Sequence, residues 1–150
     1  MSFLKIDELN EIYYELTEPK GNGHTFVFVN ALTGNTTAWN GTIRDKIIED
    51  GNGFLTYNFR GQDNSKFSEE LNLDTDLIVS DLCLLIEKLN IKDIILVGLS
   101  IGGLYASLAL EKGVKSNGLV LINTLRKNNS RLKWINETMV NVARYGGTSL

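Results

Sequence analysis

Histidine is almost absent from this chain of 150 residues; His24 is the only one. Any chemistry that needs an imidazole must therefore use His24 or do without one from these residues. Cys83 is the only cysteine, which excludes an internal disulfide and leaves no reason to expect an oxidising compartment. Pro19 is the only proline, and no repeat or low-complexity segment interrupts the chain. Charge of one sign is also lacking: 15 Lys and Arg oppose 18 Asp and Glu, for a net charge of −3. A field that weak argues against nucleic acid or an anionic membrane as partner. No apolar run reaches membrane-spanning length, and the opening Met1-Ser2-Phe3-Leu4-Lys5-Ile6 lacks the basic start and apolar stretch of a signal peptide. A cytoplasmic protein is expected, with no nucleic acid, membrane, cofactor or metal among its partners.

Apolar residues make up 43% and charged residues 22%, which is ordinary for a globular domain. Phe3 to Ile6 and Glu11 to Leu16 read as an antiparallel ribbon, followed by the Gly21-Asn22-Gly23 turn. Thr25-Phe26-Val27-Phe28-Val29 is a short apolar run suited to a strand covered on both faces. Trp39, Ile43 and Ile47 recur at a spacing of four and predict a helix over 37–49, stopped by Gly51. Phe54 to Phe59 reads as the next strand. Ile78, Leu82, Leu85 and Leu89 mark one face of a helix over 75–90, with Asp76 and Asp81 toward its positive end and Lys88 toward its negative end. Cys83 falls in that helix as a packing residue. Ile94 to Val97 predicts a strand, 104–110 a helix apolar on nearly every side and so deeply buried, and Gly118 to Ile122 a last strand. Strands and helices in alternation imply an α/β fold, a mostly parallel sheet with helices on both faces.

In such a sheet ligands collect beyond the carboxyl ends of the strands, where the loops 30–35 and 60–65 and the corner at Ser100 fall. Gly98-Leu99-Ser100-Ile101-Gly102 has the G-x-S-x-G pattern of a nucleophile elbow, in which a serine sits on a strained strand-to-helix turn and glycine on either side avoids collision. The Ile101 N–H, at the start of the helix, would point where negative charge develops on a carbonyl under attack. A second donor is needed from the loop after the Thr25 strand, with Leu32 N–H the first choice and Ala31 the alternative. Asn30 and Thr33 in the same loop are candidate substrate contacts. A dinucleotide site fits less well, because Ser100 stands where the fingerprint needs its second glycine and the following strand ends in Asn123 instead of an acidic residue.

These features resemble the amino-terminal portion of the α/β-hydrolase fold superfamily over about residues 3–125. Asn30-Ala31-Leu32 resembles the Asn-Ser-Leu of enol-lactonase-like members, and Ala31-Leu32-Thr33-Gly34 resembles the loop of homoserine acetyltransferases; both imply Leu32 as the oxyanion donor. Phe59-Arg60-Gly61-Gln62-Asp63-Asn64-Ser65 resembles the Arg-Gly-His-Gly-x-Ser loop, with Gln62 and Asp63 replacing His-Gly. The resemblance implies a serine hydrolase acting on an ester, lactone or related acyl substrate, with Ser100 as nucleophile. It also implies a triad acid and histidine after later strands and a cap inserted after the sixth. No base follows Ser100, and His24 precedes a strand at the wrong end of the sheet, where it is expected to be a solvated turn residue. Asp63 as a stand-in acid would have no imidazole to orient. Residues 1–125 are thus expected to be the front of a hydrolase core, truncated after the sixth strand, and 126–150 the start of a cap. In that last stretch Arg126, Lys127, Arg131 and Lys133 precede a helical face of Leu132, Ile135, Met139 and Val142. Such a chain would be inactive alone, and its sixth strand would leave an apolar edge open to dimerisation or association. A non-catalytic binding protein of the same fold, or an acyltransferase, remains the alternative.

Overall fold

Strand-forming segments in the first third of the chain meet those of the middle in one sheet. The computed structural model describes residues 2–68 and 70–124. The strands are β1 (Ser2–Lys5), β2 (Glu11–Thr17), β3 (Thr25–Val29), β4 (Gly53–Tyr57), β5 (Ile94–Leu99) and β6 (Gly118–Ile122), in the order β1-β2-β4-β3-β5-β6. The ribbon β1–β2 is antiparallel and joins β4 antiparallel, whereas β4, β3, β5 and β6 run parallel. The helices are α1 (Thr42–Glu49), α2 (Thr75–Lys88) and α3 (Ile101–Glu111). The expected mostly parallel α/β sheet is therefore present. No helix among the described residues is long and apolar enough to cross a membrane.

Alternation along the strands divides the interior in two. Val27 and Val29 of β3, Leu55 and Tyr57 of β4 and Leu96 of β5 face α2 and α3, meeting Val79, Leu82, Leu85, Tyr105, Ala106 and Ala109. Phe28, Phe54 and Val97 face the other way, against Trp39 and the half-buried Ile47 and Ile48. There the Phe28 ring lies 4.5 Å from Trp39 and 4.8 Å from Phe54, centroid to centroid, so aromatic packing seats the segment just before α1 on the sheet. Cys83 packs at the edge of the larger core, and burial pushes its thiol pKa up, as suits a packing residue.

Two helices differ from expectation. The run 37–49 is not one helix: a 3-10 turn covers Thr36–Trp39, Gly41 then takes φ 82°, and α1 starts afresh at Thr42. That break resets the helical phase, which leaves Trp39 buried while Ile43 is 47% exposed. The helix α3 was expected to be covered on every side. Gly102, Gly103, Tyr105, Ala106 and Ala109 are indeed buried, yet Ile101 and Leu104 are exposed, because they share the helix face of Glu111, turned away from the buried stripe. The expected cap start, with its basic cluster and the Leu132 to Val142 face, lies outside the described residues.

Candidate active site

The strand order creates a crevice at one place. From β3 the chain leaves by way of the 3-10 turn and α1 on one face, and from β5 it leaves through α3 on the opposite face, although the two strands are neighbours paired from Thr25↔Ile94 to Val29↔Gly98. Loops that diverge from adjacent parallel strands leave an opening between their carboxyl ends. The segment 30–35 and Ser100 border it, about 5 Å apart in strand spacing.

Ser100 sits between β5 and α3 with φ 55° and ψ −121°, a region that side-chain-bearing residues rarely occupy. Its N–H donates to the Ile122 carbonyl at 2.9 Å, so β6 helps hold the turn. The glycines explain how the turn fits. Gly98 points to the α3 face, and a Cβ there would overlap the Gly103 backbone; one on Gly102 would overlap the Val29 and Asn30 carbonyl oxygens. Gly102 thus lets the first turn of α3 rest directly on the end of β3. Gly103, which the five-residue motif does not include, lies against the Thr124 side chain, where a Cβ would overlap Oγ1. Its signal in the sequence was the Gly102-Gly103 doublet.

The Ile101 N–H, at the first helical position, and the Leu32 N–H have no acceptor among the described residues. Leu32 and Thr33 are the central residues of a turn closed by the Gly34 N–H on the Ala31 carbonyl at 3.0 Å. Side-chain amides hold this loop. Asn30, fully buried, donates from Nδ2 to the Tyr57 carbonyl at 2.7 Å and accepts the Trp39 indole N–H at 2.5 Å. Asn58 Oδ1 accepts the Thr36 N–H at 2.8 Å, and Gln62 Nε2 donates to the Leu32 carbonyl at 2.5 Å. Asn30 was expected as a substrate contact; instead its carboxamide is enclosed by protein partners and braces the start of the loop. Thr33 is exposed at the turn. Trp39→Phe would leave Asn30 Oδ1 buried without its donor, so it is expected to cost about 1–3 kcal/mol of stability, measured by urea unfolding.

The remaining charged groups lie elsewhere. Arg60 and Asp81 form a buried bidentate pair, with Arg60 Nε 2.7 Å from Asp81 Oδ2 and a second contact between Nη2 and Oδ1. Asp81 is therefore a partner for the β4 loop and not a helix-end charge; Asp74 caps α2 instead, accepting the Leu77 N–H at 2.9 Å. Asp63 is exposed in the loop after β4, two strand spacings or about 10 Å from β5. His24 precedes β3 at the amino end of the sheet, six residues of strand or about 20 Å from the level of Ser100. It is less solvated than expected: Nδ1 is buried with no partner among the described residues.

A sequence profile of the alpha/beta hydrolase fold family matches residues 24–148. No curated protein sequence matches the chain. Among solved structures, MGS-M2, an alpha/beta hydrolase enzyme from a Medee basin deep-sea metagenome library, is 26% identical with a TM-score of 0.81, and the match covers 97% of this chain and 52% of that one. A structure from a study of carboxylesterases of the Thaumarchaeon Nitrososphaera gargenis is 22% identical with a TM-score of 0.84, covering 97% of this chain and 54% of that one. Bromoperoxidase from Bacillus anthracis is 23% identical with a TM-score of 0.73, covering 91% and 58%. The chain spans just over half the length of each of these structures. With its parallel sheet, its strained serine between β5 and α3, and a profile match over most of its length, the chain belongs to the alpha/beta hydrolase fold family.

Proposed function

We propose that the protein is a serine hydrolase acting on an ester, lactone or related acyl compound, with Ser100 as its nucleophile. The observation that carries this is the Ser100 backbone at φ 55° and ψ −121°, followed by an Ile101 N–H that no described residue accepts. Strain of that kind persists only where the surrounding structure enforces it, and here three glycines and the Ile122 carbonyl do so. Ser100 Oγ attacks the carbonyl carbon and its proton passes to a base; the carbonyl oxygen takes the negative charge and accepts from the N–H groups of Ile101 and Leu32. Thr33, exposed beside Leu32, contacts the substrate. Catalysis at neutral pH also needs an imidazole, which these 150 residues do not place near Ser100.

The position of His24 favours a second reading, a binding protein that keeps the fold without a working triad. A fluorophosphonate separates the two. In the protein at its natural length, intact mass is expected to show one adduct per chain, and peptide mapping to place it on Ser100. A protein that remains unmodified at Ser100 is the binding module. An acyltransferase would also form the adduct, and adding an alcohol acceptor to the acyl-enzyme distinguishes transfer from hydrolysis.

A further inference from the structure

Gln62, on the loop after β4, has both ends of its carboxamide engaged. Oε1 accepts the Phe59 N–H at 3.0 Å, its own N–H donates to the Phe59 carbonyl at 3.0 Å, and Nε2 reaches across to the Leu32 carbonyl at 2.5 Å. The side chain is thus fixed within its own loop and grips the neighbouring one at a single peptide. In the turn from Ala31 to Gly34, that Leu32-Thr33 peptide is the one that rotates between type I and type II arrangements while the closing bond stays intact. A type II turn needs positive φ at its second central residue; Thr33, β-branched, does not have it.

We propose that Gln62 is a positioning residue for the oxyanion hole, locking the Leu32-Thr33 peptide so that this turn presents N–H groups to the developing oxyanion. The proposal rests on Ser100 being the nucleophile. With both central residues on the type I side, the Leu32 and Thr33 N–H groups lie side by side, and neither has an acceptor among the described residues. A carbonyl that accepts a hydrogen bond also polarises its peptide, making the Thr33 N–H a better donor. Rotation of the peptide would replace that N–H with the Leu32 carbonyl oxygen, turning attraction for a negative charge into repulsion. Gln62 holds the carbonyl on the other side, from a half-buried position that the core does not depend on.

The test uses the protein at its natural length, with p-nitrophenyl acetate and a fluorophosphonate as probes. Gln62→Glu retains an acceptor for the Phe59 N–H and sets a carboxylate oxygen against the Leu32 carbonyl; Gln62→Met removes both bonds. In Gln62→Glu, kcat and the labelling rate are expected to fall about 10- to 100-fold, with KM within about twofold of the parent, because the lost interaction acts in the transition state. Gln62→Met should fall less, lacking the repulsion, and both variants should unfold within a few degrees of the parent. Parent-like rates in both variants overturn the positioning role, and so does a raised KM at unchanged kcat, which would make Gln62 a substrate contact. A parent protein whose Ser100 reacts with neither probe overturns the nucleophile and the positioning role together, an outcome distinct from the other two.

Discussion

Ser100→Ala is expected to lower ester turnover by about 10⁴- to 10⁶-fold in the protein at its natural length, the range for loss of a serine nucleophile, while leaving thermal stability close to the parent's. Alanine keeps the Cβ that makes φ 55° unfavourable, so the strain stays and only the hydroxyl goes. Ser100→Gly is the informative companion. It removes the Cβ and with it about 1–3 kcal/mol of backbone strain, less about 0.4–1 kcal/mol for the greater freedom of glycine in the unfolded chain. A net gain of about 1 kcal/mol is expected, together with the same loss of turnover. Activity comparable to the parent in Ser100→Ala would remove the serine from the chemistry, and a Ser100→Gly variant less stable than the parent would show that the turn is not strained. A residue whose removal stabilises the fold while abolishing activity is one held against the preferences of the chain.

Asp81→Ala is expected to destabilise the protein by about 3–5 kcal/mol, because it strands the Arg60 guanidinium, 5% exposed, without a counter-charge. The double variant Arg60→Met with Asp81→Leu should recover most of that loss, since two apolar side chains need no partner in the core. If Asp81→Ala costs less than about 1 kcal/mol in urea unfolding, the pair is solvated and the argument fails. Burial raises the Asp81 carboxyl pKa, and the Arg60 guanidinium only partly offsets this.

Much of the fold was legible because short apolar runs and helical periodicity are local signals. The six strands and the two helices after β4 lie close to where the pattern puts them. The misread segment, 37–49, has sound spacing, but Gly41 lets the backbone turn at φ 82° and a four-residue period cannot register a phase reset. Exposure of Ile101 and Leu104 was illegible for a different reason: apolar composition says that a helix can be buried, whereas its packing against the sheet decides which face is. At the site, glycine spacing identified the corner at Ser100. The amides that hold the loop after β3 were missed, since Asn30, Asn58 and Gln62 are separated in sequence and meet only when β3 and β4 pair.

By itself the sequence determined the elements, the parallel sheet, the tight corner at Ser100 and the distance of the lone histidine from any serine chemistry. These follow from periodicity, from glycine between bulky neighbours and from the polarity of a parallel strand, all properties of contiguous residues. Only the tertiary structure decided that β3 and β5 are neighbours whose connections part to opposite faces, which opens the crevice beside Ser100. It also decided that Gln62 reaches Leu32 and that Arg60 meets Asp81 in the interior. Those contacts join residues about 20 to 30 positions apart, and they arise from the order of strands in a sheet, which no local pattern of side chains encodes.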